Sequence, residues 1–170
     1  MSRFDNLIIL TFLFILPVNL LSANEKTVFI DVEYIIQNSN IGKKSLNKIK
    51  VLNDKNIGLL EKKNKSLNEL EISIRNKKNI ISVDEFNNEV IGFQKKVKDF
   101  TSEKDQTVKA FNKFRKQELE NILKLFRPVI TSYMNENSIN ILLDSKNIFM
   151  GNSDVDVTED VLKKINIEVK

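Results

Sequence analysis

The stretch Ser66–Phe93, SLNELEISIRNKKNIISVDEFNNEVIGF, decides the fold. Leu67, Leu70 and Ile74 recur at helical spacing before Lys77-Lys78-Asn79, and Phe86, Val90 and Phe93 take up the same spacing after it. Between the two runs stands Ser82-Val83-Asp84-Glu85. A serine followed three residues later by glutamate is the signature of a capping box, and Asp84 and Glu85 suit the positive end of a helix. The segment therefore predicts one helix ending near 77, a turn over about 77–83, and a second helix beginning at once.

Working outward, the apolar spacing persists in both directions. Upstream, Leu46, Ile49, Leu52 and Leu59 or Leu60 continue the stripe, and Leu60, Leu67, Ile74 and Ile81 sit seven apart. Gly42 and Gly58 are the weak points of this helix, which begins near Asn38. Downstream, Val97 and Phe100 follow, then Phe111, Phe114, Ile122, Phe126, Val129 and Tyr133, with Lys104 and Thr107 interrupting. Pro128 predicts a kink near the end of that helix, about Asn135. Two long helices and a short connection make an antiparallel hairpin over 38–137. At 1.5 Å per residue it extends roughly 60–80 Å, too long for a compact domain. Asn53, Asn56, Asn64, Asn68, Asn87 and Asn88 are poor helix formers and predict arms of marginal local stability.

The ends of the chain change period. Thr27–Val32 (TVFIDV) is β-branched and aromatic, which predicts a strand in the segment 24–37. In the segment 138–170, Ile139–Asp144 (INILLD) and Ile148–Met150 (IFM) flank the turn-like Ser145-Lys146-Asn147 and predict two more strands. Thr158 has the character of an N-cap, with Glu159 and Asp160 in the first turn and Val161, Leu162 and Ile165 on one face. Ile165–Val169 alternates, leaving a final strand open. The fold class is α+β: a small β body of three strands carrying one long helical arm.

Residues 1–23 have the form of a secretory signal. Arg3 precedes the apolar Leu7–Leu16, and Pro17 and Leu20-Leu21-Ser22-Ala23 lead to cleavage after Ala23. An uncleaved anchor is the alternative, since the segment extended to Leu21 approaches the roughly 20 residues of a membrane span.

Composition narrows the chemistry. The 170 residues contain no His and no Cys, so the commonest general base, the thiol nucleophile and the usual zinc ligands are all missing. Paired carboxylates would be the remaining enzymatic option, but acids on the arms are interspersed with lysines. Asp154–Asp160 lacks the glycine-centred loop of a calcium site. No phosphate-binding glycine loop occurs, and no cofactor is indicated. Charge is divided: residues 43–137 carry 21 basic and 13 acidic side chains, hence +8, and the other residues from Asn24 onward carry 5 and 9, hence −4. A basic arm attracts acidic polypeptides or an anionic membrane surface. Nucleic acid is disfavoured because no reading motif is present.

At its two ends the chain resembles the Skp/OmpH family of periplasmic chaperones. Phe29-Ile30-Asp31-Val32, then Ile35-Ile36-Gln37-Asn38-Ser39 and Gly42-Lys43, resemble the opening strand and the entry to the arm. Ile141-Leu142-Leu143-Asp144, Ile148 to Asn152 and Asp154 through Val161-Leu162 resemble the closing strands and last helix, with Pro128 also similar. The matching blocks cover roughly a third of the mature chain. The resemblance implies a periplasmic homotrimer whose strands form a small barrel. Phe29, Ile30, Val32, Ile141, Leu142, Leu143, Ile148 and Phe149 would supply them. The three hairpins would surround a cavity that holds unfolded outer-membrane proteins without ATP. Phe86, Phe93, Phe100, Phe111 and Phe114 are the candidate client contacts, against the alternative that they pack the hairpin seam. A structural or adaptor coiled-coil protein of the envelope is the competing function.

Overall fold

A computed structural model of the protein describes residues 25–169; the signal-like segment 1–23 lies outside them. The order of elements is β1 (Thr27–Ile30), α1 (Val32–Asn38), α2 (Asn40–Lys77), α3 (Val83–Glu136), β2 (Ile141–Asp144) and α4 (Thr158–Glu168), with single 3-10 turns at Ser145–Asn147 and Ser153–Val155. The fold is mostly helical, with a small sheet at one end.

α2 and α3 form the arm. Their 38 and 54 residues span about 57 and 81 Å at the helical rise of 1.5 Å. The turn between them covers residues 78–82, and the capping box forms as its sequence predicts. Ser82 Oγ accepts from the Glu85 N–H at 3.2 Å, and the Glu85 carboxylate accepts from the Ser82 N–H at 3.2 Å. Pro128 lies inside the last turns of α3, which continues to Glu136.

The body is built by the two chain ends. β1 and β2 pair in parallel, Thr27 opposite Ile141 and Ile30 opposite Asp144. Parallel strands need a long crossover, and here the whole arm is that crossover. Ile30, Ile35, Ile122, Phe126, Val129, Val161, Leu162 and Ile165 form one buried cluster, in which the base of α3 packs with α1 and α4 beside β1.

Val32 does not extend the first strand; it opens α1, because the Asp31 carboxylate accepts the Tyr34 N–H at 2.8 Å and starts a helix. A break at Ser39 separates α1 from the arm's first helix, which starts at Asn40. Ser39 is extended (φ −71°, ψ 150°) and buried, ending α1 and capping α2 through its hydroxyl, which accepts from Gly42 N–H. Only glycine fits at position 42, since a Cβ there would stand 1.9 Å from the Ile36 carbonyl oxygen.

Ile148-Phe149-Met150 is not a strand. The Ile148 N–H is used by Ser145 in a 3-10 turn, and Phe149 and Met150 point to solvent at 100% and 82% exposure. A third strand is reduced to a single bridge between Phe29 and Asp156, with the Val157 N–H donating to the Phe29 carbonyl at 3.0 Å. The sheet among the described residues therefore has two strands. Thr158 is not a capping side chain either, as Val157 holds the N-cap position, and α4 remains helical to Glu168 where a strand was left open.

Candidate functional site

The arm offers the largest surface outside the body, and its interior is sparsely packed. From Leu46 to Asn121 one side chain, Ile74, is buried. The remaining seam residues are half-buried, among them Leu60, Leu67, Leu70, Phe86, Val90 and Phe93. A seam made by two helices alone leaves each apolar stripe open along its flanks.

Three ion pairs bridge the helices, each with lysine on α2 and glutamate on α3. They are Lys48–Glu118 at 3.9 Å, Lys63–Glu103, and Lys77–Glu89 at 2.7 Å. From Lys48 to Lys63 is 15 residues, and so is Glu118 back to Glu103; the next step is 14 residues on both helices. The pairs therefore share one register. No short motif marks these pairs in the sequence, although a turn near residue 80 and equal spacing of opposite charges on either side of it carry the signal.

All five candidate phenylalanines are half-buried, so each both packs and remains accessible. Phe86 and Phe93 join Ile74 and Val90 in a groove of about 420 Å³ near the tip. Phe100 forms the floor of a second groove of about 580 Å³ with Leu67 and Leu70, rimmed by Lys62, Lys63 and Lys96. Phe111 and Phe114 lie further towards the base and line neither groove. The structure thus separates the five into a tip pair, a mid-arm residue and a basal pair.

The residues assigned to the body strands divide by face. Ile30 is buried, Leu142 packs against the core, and Phe29 and Ile148 are half-buried. Ile141 and Leu143 share the opposite face of β2 and are exposed, as is Phe149.

Perturbed titrating groups sit in the body. The Tyr34 hydroxyl donates to Glu159 at 2.8 Å, which raises its pKa. Hydrogen bonds from Lys164 and Ser132 lower that of Glu136, against a small opposing effect of burial. Burial raises Tyr133, with Asp160 adding to it. Two of these contacts tie body elements together, Tyr34 of α1 to Glu159 of α4 and Glu136 of α3 to Lys164 of α4. Among the described residues no acidic cluster has the arrangement to hold a metal ion, and no helix is long and apolar enough to cross a membrane.

Open apolar grooves along a basic two-helix arm, carried by a small α/β body, define an elongated, arm-bearing class of protein. The family pattern described as "Outer membrane protein (OmpH-like)" matches residues 26–165, and the chain belongs to that family. It is similar in fold to a crystal structure from Caulobacter crescentus CB15 of an OmpH-like protein named as a candidate outer membrane chaperone. The TM-score is 0.76 at 16% identity, over 85% of each chain. No curated protein matches the sequence significantly.

Proposed function

We propose that the protein is a periplasmic holdase, exported by its N-terminal signal, that binds unfolded outer-membrane proteins and keeps them from aggregating without ATP. The observation that carries this reading is the arm itself. Its seam presents half-buried aromatic and aliphatic residues in open grooves, flanked by an excess of lysine. Such a surface captures acidic, partly apolar chains through area and charge and needs no fixed sequence. Membership of the OmpH-like family and the fold shared with the Caulobacter protein support it.

The holding unit is a homotrimer. Ile141, Leu143 and Phe149 leave an apolar surface on the body, and a two-stranded sheet has open edges that pairing with further copies would cover. Phe86, Phe93, Phe100, Phe111 and Phe114 supply client contact from the arms, and the same basic arms can meet an anionic membrane surface.

The test is light scattering from a urea-unfolded outer-membrane barrel protein diluted into buffer with residues 24–170. Suppression of aggregation at one trimer per client, without ATP, is the expected result. Aggregation as fast as in buffer alone would sink the holdase and turn attention to a folded envelope partner. Multi-angle scattering reads the oligomer, and Leu143→Asp should yield monomer.

A further inference from the structure

The mid-arm groove lies in a stretch of the hairpin that has no buried side chain. It sits between Ile74, the buried residue nearest the tip, and the body core that begins at Ile122. Its floor is Leu67, Leu70 and Phe100, all half-buried, and it is an open groove of about 580 Å³. Lys63 and Glu103 line it from opposite helices and pair across it. Both side chains are about half exposed, so the pair is solvent-screened and weak.

The rest of the rim is cationic on balance. Lys62 and Lys96 have no ion-pair partner within 4.0 Å among the described residues, and Asp99 is the one other carboxylate lining the groove. A carboxylate arriving from outside can take Lys63 from Glu103 with no net change in paired charge, and it gains Lys62 and Lys96 beside it. An apolar side chain next to that carboxylate then meets the floor.

We propose that this groove takes a large apolar side chain from an extended acidic polypeptide segment, and that the Lys63–Glu103 pair is a strap which the segment's carboxylate displaces. The proposal rests on the arm being a holder of unfolded chains, and it adds a receptor between the two helices of one hairpin to whatever the arms enclose between them. Displacing the strap needs no covalent step and no cofactor.

The chain contains no tryptophan, so Phe100→Trp in the mature protein gives a single fluorescent reporter on the groove floor. The probes are a short synthetic peptide of alternating Glu and Leu, and its counterpart with Lys in place of Glu. The acidic peptide should shift the emission to the blue and saturate, and the basic one should leave it unchanged. Adding Lys62→Glu and Lys96→Glu should weaken the acidic peptide roughly tenfold, and Glu103→Gln, which releases the strap, should tighten it severalfold. Equal response to both peptides, no response, or indifference to these three substitutions would overturn the proposal. Should Phe100→Trp lose helical ellipticity, Leu67→Trp reports the same floor. The light-scattering assay is run on the same proteins. A silent reporter with intact suppression of aggregation sinks the groove and leaves the holdase standing. A responding reporter without suppression does the reverse.

Discussion

The backbone N–H of Asp31 donates to the hydroxyl of Thr158 at 2.8 Å, joining residues 127 positions apart. The same hydroxyl donates to Asp156 Oδ1 at 2.5 Å, and the Thr158 N–H donates to that oxygen at 2.9 Å. Everything that makes the arm lies between these partners in sequence. The Thr158 side chain is buried and its hydroxyl both accepts and donates, tying the end of the first strand to the start of the last helix.

Thr158→Val keeps the shape and removes the acceptor, leaving the Asp31 N–H without its partner. The expected loss is about 1–3 kcal/mol, the usual penalty for an orphaned, partly buried donor. Urea unfolding followed by circular dichroism measures it. Thr158→Ser should recover most of the loss, and equal losses for both variants would contradict the hydrogen-bond account.

Body and arm should respond differently to truncation of an aromatic side chain. Phe126 is almost wholly enclosed by the core cluster, and Phe126→Ala should cost about 3–5 kcal/mol. Phe93 is only partly exposed but lies in an open seam, and Phe93→Ala should cost about 1–2 kcal/mol, less than the truncation in the core. The comparison of urea midpoints checks both.

The glycines of α2 and α3 make opposite predictions. A Cβ added at Gly58 or Gly92 meets nothing within 4 Å, so alanine at either should stabilise its helix by about 0.5–1 kcal/mol. Gly42→Ala should instead destabilise, because the new Cβ runs into the Ile36 carbonyl. Amide exchange along the arm should slow in the first two variants and quicken at the α1–α2 junction in the third.

Stability should be flat through neutral pH and fall on both sides. Glu136 has a lowered pKa, owing first to its hydrogen bond with Lys164 and then to that with Ser132. Its contribution is present above the ordinary glutamate value and is lost as pH falls through the depressed one. Lys164 is raised by its hydrogen bond to Glu136, Lys146 by that to Glu33, and Tyr34 by that to Glu159. Their contributions are complete below the ordinary lysine and tyrosine values and are lost as pH rises through the raised ones. With no histidine in the chain, a transition centred near pH 6.5 in the thermal midpoint would count against this assignment.

The arm was legible in the sequence because it is a local structure. Helical spacing of Leu67, Leu70 and Ile74, its resumption at Phe86 and Val90, and Ser82 with Glu85 between them act over a few residues each. The body was less legible. Asp31 reads as the middle of a strand until its carboxylate is seen capping Tyr34, and Ile148-Phe149-Met150 reads as a strand until the Ile148 N–H is seen committed to Ser145. The grooves were hidden for another reason. Leu67, Leu70 and Phe100 carry the pattern of a seam, and periodicity cannot say whether a seam is closed or open.

Propensity, capping and apolar periodicity act within each segment, and they suffice to predict a long basic hairpin with its turn near residue 80 and apolar runs at both ends. Long-range packing sets the parallel pairing of β1 and β2 with Thr27 opposite Ile141, the tie of Thr158 to Asp31, and the reach of Lys63 across the groove to Glu103. Those contacts join residues between 40 and 127 positions apart, and their geometry exists only once the arm has folded back and returned the second end of the chain to the first.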